Sequence, residues 1–95
     1  MYNYMTHIPP MPKYYDPWLK GAASYFDGTY YLNGLIVTIN SCLSTVSVEY
    51  ADGNSDNLYF QGDDSDELIK NMCWRWENAC ETPDDCVNFV ISHFV

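Results

Sequence analysis

Apolar and polar side chains alternate most cleanly over Thr45–Tyr50, with Val46, Val48 and Tyr50 on one side and Thr45, Ser47 and Glu49 on the other. A period of two marks a strand with one dry and one wet face. Leu35–Asn40 repeats the pattern with Leu35, Val37 and Ile39, and Asn57–Gln61 with Leu58 and Phe60; Thr29–Leu32 is aromatic and β-favouring. Asn33-Gly34 separates the first two runs and predicts a type I′ hairpin, whose two central residues both need positive φ. Asp52-Gly53-Asn54 marks a second turn. Connections this short predict an antiparallel meander.

The period changes beyond Gly62. Leu68, Ile69, Met72, Cys73, Trp76 and Cys80 recur at helical spacing, which predicts a helix capped by Asp64 or Ser65 and running to Ala79. Thr82-Pro83-Asp84-Asp85 is a second helix start, with a capping hydroxyl, proline at the first position and acids in the first turn. Cys86, Val87, Phe89, Val90, Ile91 and Phe94 predict a mostly buried second helix. Upstream, Asp16-Pro17 reads as the start of a short helix to Tyr25, weakened by Gly21. The segment 1–16 holds Pro9, Pro10 and Pro12 among its tyrosines and methionines and is expected to be extended. Its aromatics either pack on the domain or wait for a partner. The expected fold class is α+β. A three- to four-stranded antiparallel β-meander, packed against two C-terminal helices, forms a single domain over 17–95 and follows the extended Pro/Tyr-rich segment.

Composition supports a folded core: 47% of the 95 residues are hydrophobic and 17% aromatic. No apolar run approaches a membrane span, and Met1-Tyr2-Asn3-Tyr4 lacks the basic and apolar regions of a signal peptide. The expected location is the cytoplasm. There Cys42, Cys73, Cys80 and Cys86 are expected as reduced thiols, although Cys80 and Cys86 flank a turn and could pair. Cys73 and Cys80 sit about 10 Å apart along one helix, too far to bridge.

Charge alters the picture most. The net charge is −9, and all of it lies in the second half, because Lys13 and Lys20 balance Asp16 and Asp27 in residues 1–48. Such an asymmetry repels nucleic acid and anionic membrane and attracts basic protein surfaces. The sharpest feature is the series Glu49, Asp52, Asp56, Asp63, Asp64, Asp66 and Glu67. Capping of a helix accounts for two of the acids at 63–67; the seven together could line one edge of the sheet as a continuous docking face. Trp74 beside Arg75, opposite the apolar stripe, has the composition of an interface anchor, or else lies flat on its own helix or on the N-terminal segment.

Other chemistries find little support. Asp52, Asn54 and Asp56, with Asp63 eleven residues after Asp52, resemble the start of a calcium-binding EF-hand loop. Asn57 stands where that loop needs glycine, however, and the flanks read as strands. Asn57–Gly62 resembles the recognition sequence of a potyviral protease, but it fits the strand alternation and reads as coincidence. His7 and His93 are isolated and no paired zinc ligands occur, so no metal or cofactor is expected. No nucleophile–base spacing or phosphate loop stands out, and the chain reads as a binding protein rather than an enzyme.

In size, charge and α+β make-up the chain resembles the small acidic phage- and plasmid-borne inhibitors of bacterial defence, the anti-CRISPR and antirestriction proteins. The resemblance is one of type and carries over no residues. It implies a monomer or homodimer acting in the cytoplasm (the host's, if phage-encoded). Its partner is a basic protein surface, usually the nucleic-acid-binding site of a complex, which it blocks as a nucleic-acid mimic without touching nucleic acid. The partner-binding residues expected are Glu49, Asp52, Asp56, Asp63, Asp64, Asp66, Glu67 and Trp74. The alternative is a structural or assembly module whose aromatic arm (Tyr2, Tyr4, Met5, Tyr14, Tyr15, Trp18) docks on a partner or a second copy, with the acids serving solubility.

Overall fold

The computed structural model describes residues 11–79 and 82–94. Four strands, β1 (Gly28–Leu32), β2 (Leu35–Asn40), β3 (Thr45–Tyr50) and β4 (Leu58–Gln61), form one antiparallel sheet in the order of the sequence. Two helices follow, α1 (Asp63–Asn78) and α2 (Pro83–Phe94). The architecture is the α+β meander that the alternation predicts. The β1–β2 hairpin turns on Asn33 at φ 48° and Gly34 at φ 79°, the double positive φ of a type I′ turn.

Register places Val37 opposite Val48 and Ile39 opposite Val46, and all four are buried. Helix α1 lies across β3 and β4 and α2 beside β1, so the apolar stripes of both helices close over this face. Leu68, Ile69 and Met72 from α1 and Val87, Val90 and Ile91 from α2 are buried against it. Across the helix pair, the Arg75 guanidinium sits 5.1 Å from the centre of the Phe89 ring. Helix α2 is less buried than its sequence suggests: Phe89 is half-buried and Phe94 exposed.

Two helix starts differ. Thr82 caps α2 as expected, its Oγ1 accepting the Asp85 N–H at 3.1 Å. Helix α1 begins earlier than expected, at Asp63, with Gly62 at φ 60° as the turning residue and no side-chain cap. Only one residue joins β4 to the helix, so neither Asp64 nor Ser65 can stand outside it. Ser65 is instead buried in the first turn, and its hydroxyl donates to the Gly62 carbonyl.

The expected helix from Pro17 is a turn followed by a 3-10 helix, Ala23–Phe26. Asp16 does cap its start, with Oδ1 accepting from the Trp18 and Leu19 amides. Gly21, at φ 70°, then diverts the chain. That diversion swings Phe26 into the end of the core, where it is fully buried between α1 and β2. Tyr15, expected in an extended segment, is 7% exposed and part of the same core.

Phe26→Ala should therefore lower the free energy of unfolding by about 3–5 kcal/mol. Urea titration followed by circular dichroism reads the loss. An unchanged midpoint would mean that Phe26 does not close the core.

Candidate acidic docking site

Strand β4 is an edge strand, and the seven acids fall at its two ends. Glu49, Asp52 and Asp56 lie in and beside the β3–β4 loop. Asp63, Asp64, Asp66 and Glu67 occupy the first turns of α1. Between the groups β4 itself carries no charge, and its span from residue 57 to residue 62 is about 16 Å at strand rise. That is about twice the screening length at physiological salt. The edge thus presents two negative clusters rather than one continuous strip.

Not all seven carboxylates are equally available. Asp52 builds its own loop: Oδ1 accepts the Asn54 and Ser55 amides at 2.9 and 3.2 Å, and Oδ2 the Ser55 hydroxyl. These amide bonds, Asn54's above all, hold its carboxyl below the usual carboxylate range. Asp66 is half-buried, with Oδ1 out of reach of solvent and without a hydrogen-bond partner among the described residues. Glu49, Asp56, Asp63, Asp64 and Glu67 are exposed. Asp63 and Glu67 share a helix face at a spacing of four, so their Cβ atoms are about 5–6 Å apart. No lysine or arginine stands between Glu49 and Ile69. The acids of the α1 first turn also face the positive end of the helix, which explains why this chain tolerates them together.

The calcium-loop arrangement is not assembled, since Asp63 lies across β4 from Asp52. Among the described residues no cluster of three or more metal-ligating side chains is found. His7 lies outside the described residues; His93 sits at the end of α2 with Nδ1 2.9 Å from the Phe89 carbonyl oxygen.

Trp74 is half-buried and packs edge-on to Tyr15, with ring centres 5.4 Å apart at 75°. It therefore rests on the N-terminal segment. Tyr15 in turn donates its hydroxyl to Glu77 Oε1 at 2.7 Å, and the Lys20 ammonium lies 4.8 Å from its ring centre. Of the aromatic arm, Tyr2, Tyr4 and Met5 lie outside the described residues, Tyr15 is buried, and Tyr14 is 87% exposed. Sequence reasoning did not find the Tyr15–Trp74–Glu77 group. A tyrosine within a proline-rich stretch carries no periodic signal that marks it for burial.

Cys42 is exposed; the buried Cys73 thiol lies 3.5 Å from the Ala22 carbonyl oxygen. Cys86 is also buried, with its sulfur 3.0 Å from the Met72 carbonyl oxygen. The pairing considered for Cys86 depends on Cys80, outside the described residues. Among the described residues no helix is long and apolar enough to cross a membrane.

No protein-family model, curated protein or solved structure matches the chain.

Alkaline pH should unfold the domain through Tyr15 and Cys73. Burial, then the hydrogen bond and charge of Glu77, push the Tyr15 hydroxyl above its ordinary 10.0. Burial pushes the Cys73 thiol from 9.0 up to about 12. Both groups keep their protons in the folded state at a pH where the unfolded chain has lost them. Their contribution to stability is whole below about pH 9 and falls as pH rises above it. The urea midpoint should drop between about pH 7 and about pH 10.5, and drop less in the Tyr15→Phe, Cys73→Ala double variant. Equal drops would contradict the assignment.

Proposed function

We propose that this protein is a small acidic inhibitor that covers a basic, nucleic-acid-binding surface of another protein. The observation that supports the reading is the run of seven acids from Glu49 to Glu67, unbroken by any basic residue and flanking one edge strand. Six of the seven are exposed, and Asp66 is half-buried. The backbone that carries these carboxylates is held in a tight loop and a helix start, so little backbone entropy is lost when they meet a cationic surface. They take the place of phosphates there, release the counterions of both surfaces and exclude the nucleic acid. The chemistry required is complementary charge alone, with no catalytic step, cofactor or metal. The mode of action is that of the anti-CRISPR and antirestriction inhibitors, acting in the cytoplasm.

The alternative, docking through the aromatic arm, must do without Tyr15, which the domain buries for itself. The acidic edge is therefore the better supported surface.

The test is reversal of the three exposed acids at the start of α1. Asp63→Lys, Asp64→Lys and Glu67→Lys together move the net charge from −9 to −3. Asp66 is left alone because its oxygen is buried. Losing favourable contacts with the helix dipole costs about 1–2 kcal/mol, so circular dichroism must first confirm the fold. Affinity for a basic partner captured by the wild type should fall by about a hundredfold or more. Reversal of Asp84 and Asp85, at the start of α2, should leave it within about threefold, because those acids are not at the β4 edge. Full binding by a folded triple variant would overturn the proposal.

A further inference from the structure

Towards the far end of α1 from its acidic first turn, a cavity of about 290 Å³ opens between the 3-10 helix and α1. Tyr25, Phe26 and Trp76 wall it, the backbone of Gly21 and Ala22 borders it, and Glu77 is the one charged residue among the described residues that line it. Tyr25 and Trp76 are stacked, with ring centres 5.5 Å apart and 27° between planes. Phe26 stands nearly perpendicular to both, at 88° and 89°. The three rings thus make a corner with a buried base and a half-exposed tyrosine wall. Glu77 Oε1 is held by the Tyr15 hydroxyl at 2.7 Å, and no hydrogen bond among the described residues uses its second oxygen.

Aromatic faces are negative at their centres, and a carboxylate fixed beside them adds to the attraction for a cation. An anion would be repelled by Glu77 and by the chain's charge of −9. A neutral apolar ligand would desolvate that carboxylate without pairing it. The volume suits a guanidinium or ammonium head with its last methylenes and is far too small for a helix. We propose that this corner receives a basic side chain, arginine above all, from the protein that the acidic edge docks on. The proposal rests on the reading of a basic partner and deepens it: the clusters at β4 supply attraction, and the Tyr25–Trp76–Glu77 corner supplies an anchor of defined shape.

The probe is N-acetyl-arginine methylamide, titrated into the ¹⁵N-labelled full chain, with the isosteric, uncharged citrulline analogue as comparison. Saturable shifts are expected at the Trp76 indole N–H and the Gly21 and Ala22 amides, with an affinity in the millimolar range. Binding should be about tenfold weaker for the citrulline analogue and about three- to tenfold weaker in the Glu77→Gln variant, which keeps the acceptor for Tyr15. Equal binding of the two probes, indifference to Glu77→Gln, or no shift at Trp76 would each overturn the proposal. The triple reversal at Asp63, Asp64 and Glu67 should bind the arginine probe as the wild type does, so the pocket and the docking edge fail separately. Loss of partner binding by Glu77→Gln, in step with its loss of probe binding, ties the pocket to the complex.

Discussion

One thin apolar layer governs this molecule. The sheet offers a single dry face, centred on Val37, Ile39, Val46 and Val48, and the two helices offer stripes that have nowhere else to go. Neither side is stable in water alone. Two further groups from early in the chain, Phe26 and Tyr15, complete the layer at its end and along α1. Because the layer has no room for charge, every described acid of the second half is displaced to a turn, a helix start or an exposed surface. The position of the negative charge is in this sense a consequence of the fold, and the two clusters at β4 exist because β4 is short, uncharged and at the edge.

How much of this could be read in advance follows from the range of the interactions. Period-two alternation and the Asn33-Gly34 turn are local, so strands, hairpin and inward face were legible down to Leu58 and Phe60. The Thr82 cap was legible for the same reason. The start of α1 was not, because the choice between Ser65 and Asp63 depends on how abruptly β4 ends, and Gly62 decides that. Phe26 was missed as a core residue, and for Tyr15 the choice between packing on the domain and waiting for a partner stayed open, because their burial depends on contacts far along the chain. Tyr15 reaches Glu77, sixty-two residues away.

The same limit applied to the site. The acids were visible as a series, but their division into two clusters needed the direction of β4. Asp52 and Asp66 proved to be partly engaged by the fold, one by its own loop and the other by burial. Trp74 illustrates the converse: the sequence left it as an interface anchor or as a ring lying on its own helix or the N-terminal segment, and it packs on that segment, against Tyr15. The stacked rings at the cavity, Tyr25 and Trp76, come from separate elements, the 3-10 helix and α1, so their pairing had no local signal.

The central claim is that charge on the β4 edge drives recognition of a basic surface. It is tested most directly by the salt dependence of partner capture from a bacterial lysate. Raising salt from about 50 to about 500 mM shortens the screening length from more than 10 Å to a few Å. A partner with a basic nucleic-acid-binding surface should be retained at low salt and released at high salt. A partner held equally at both, or self-association alone, would contradict the central claim.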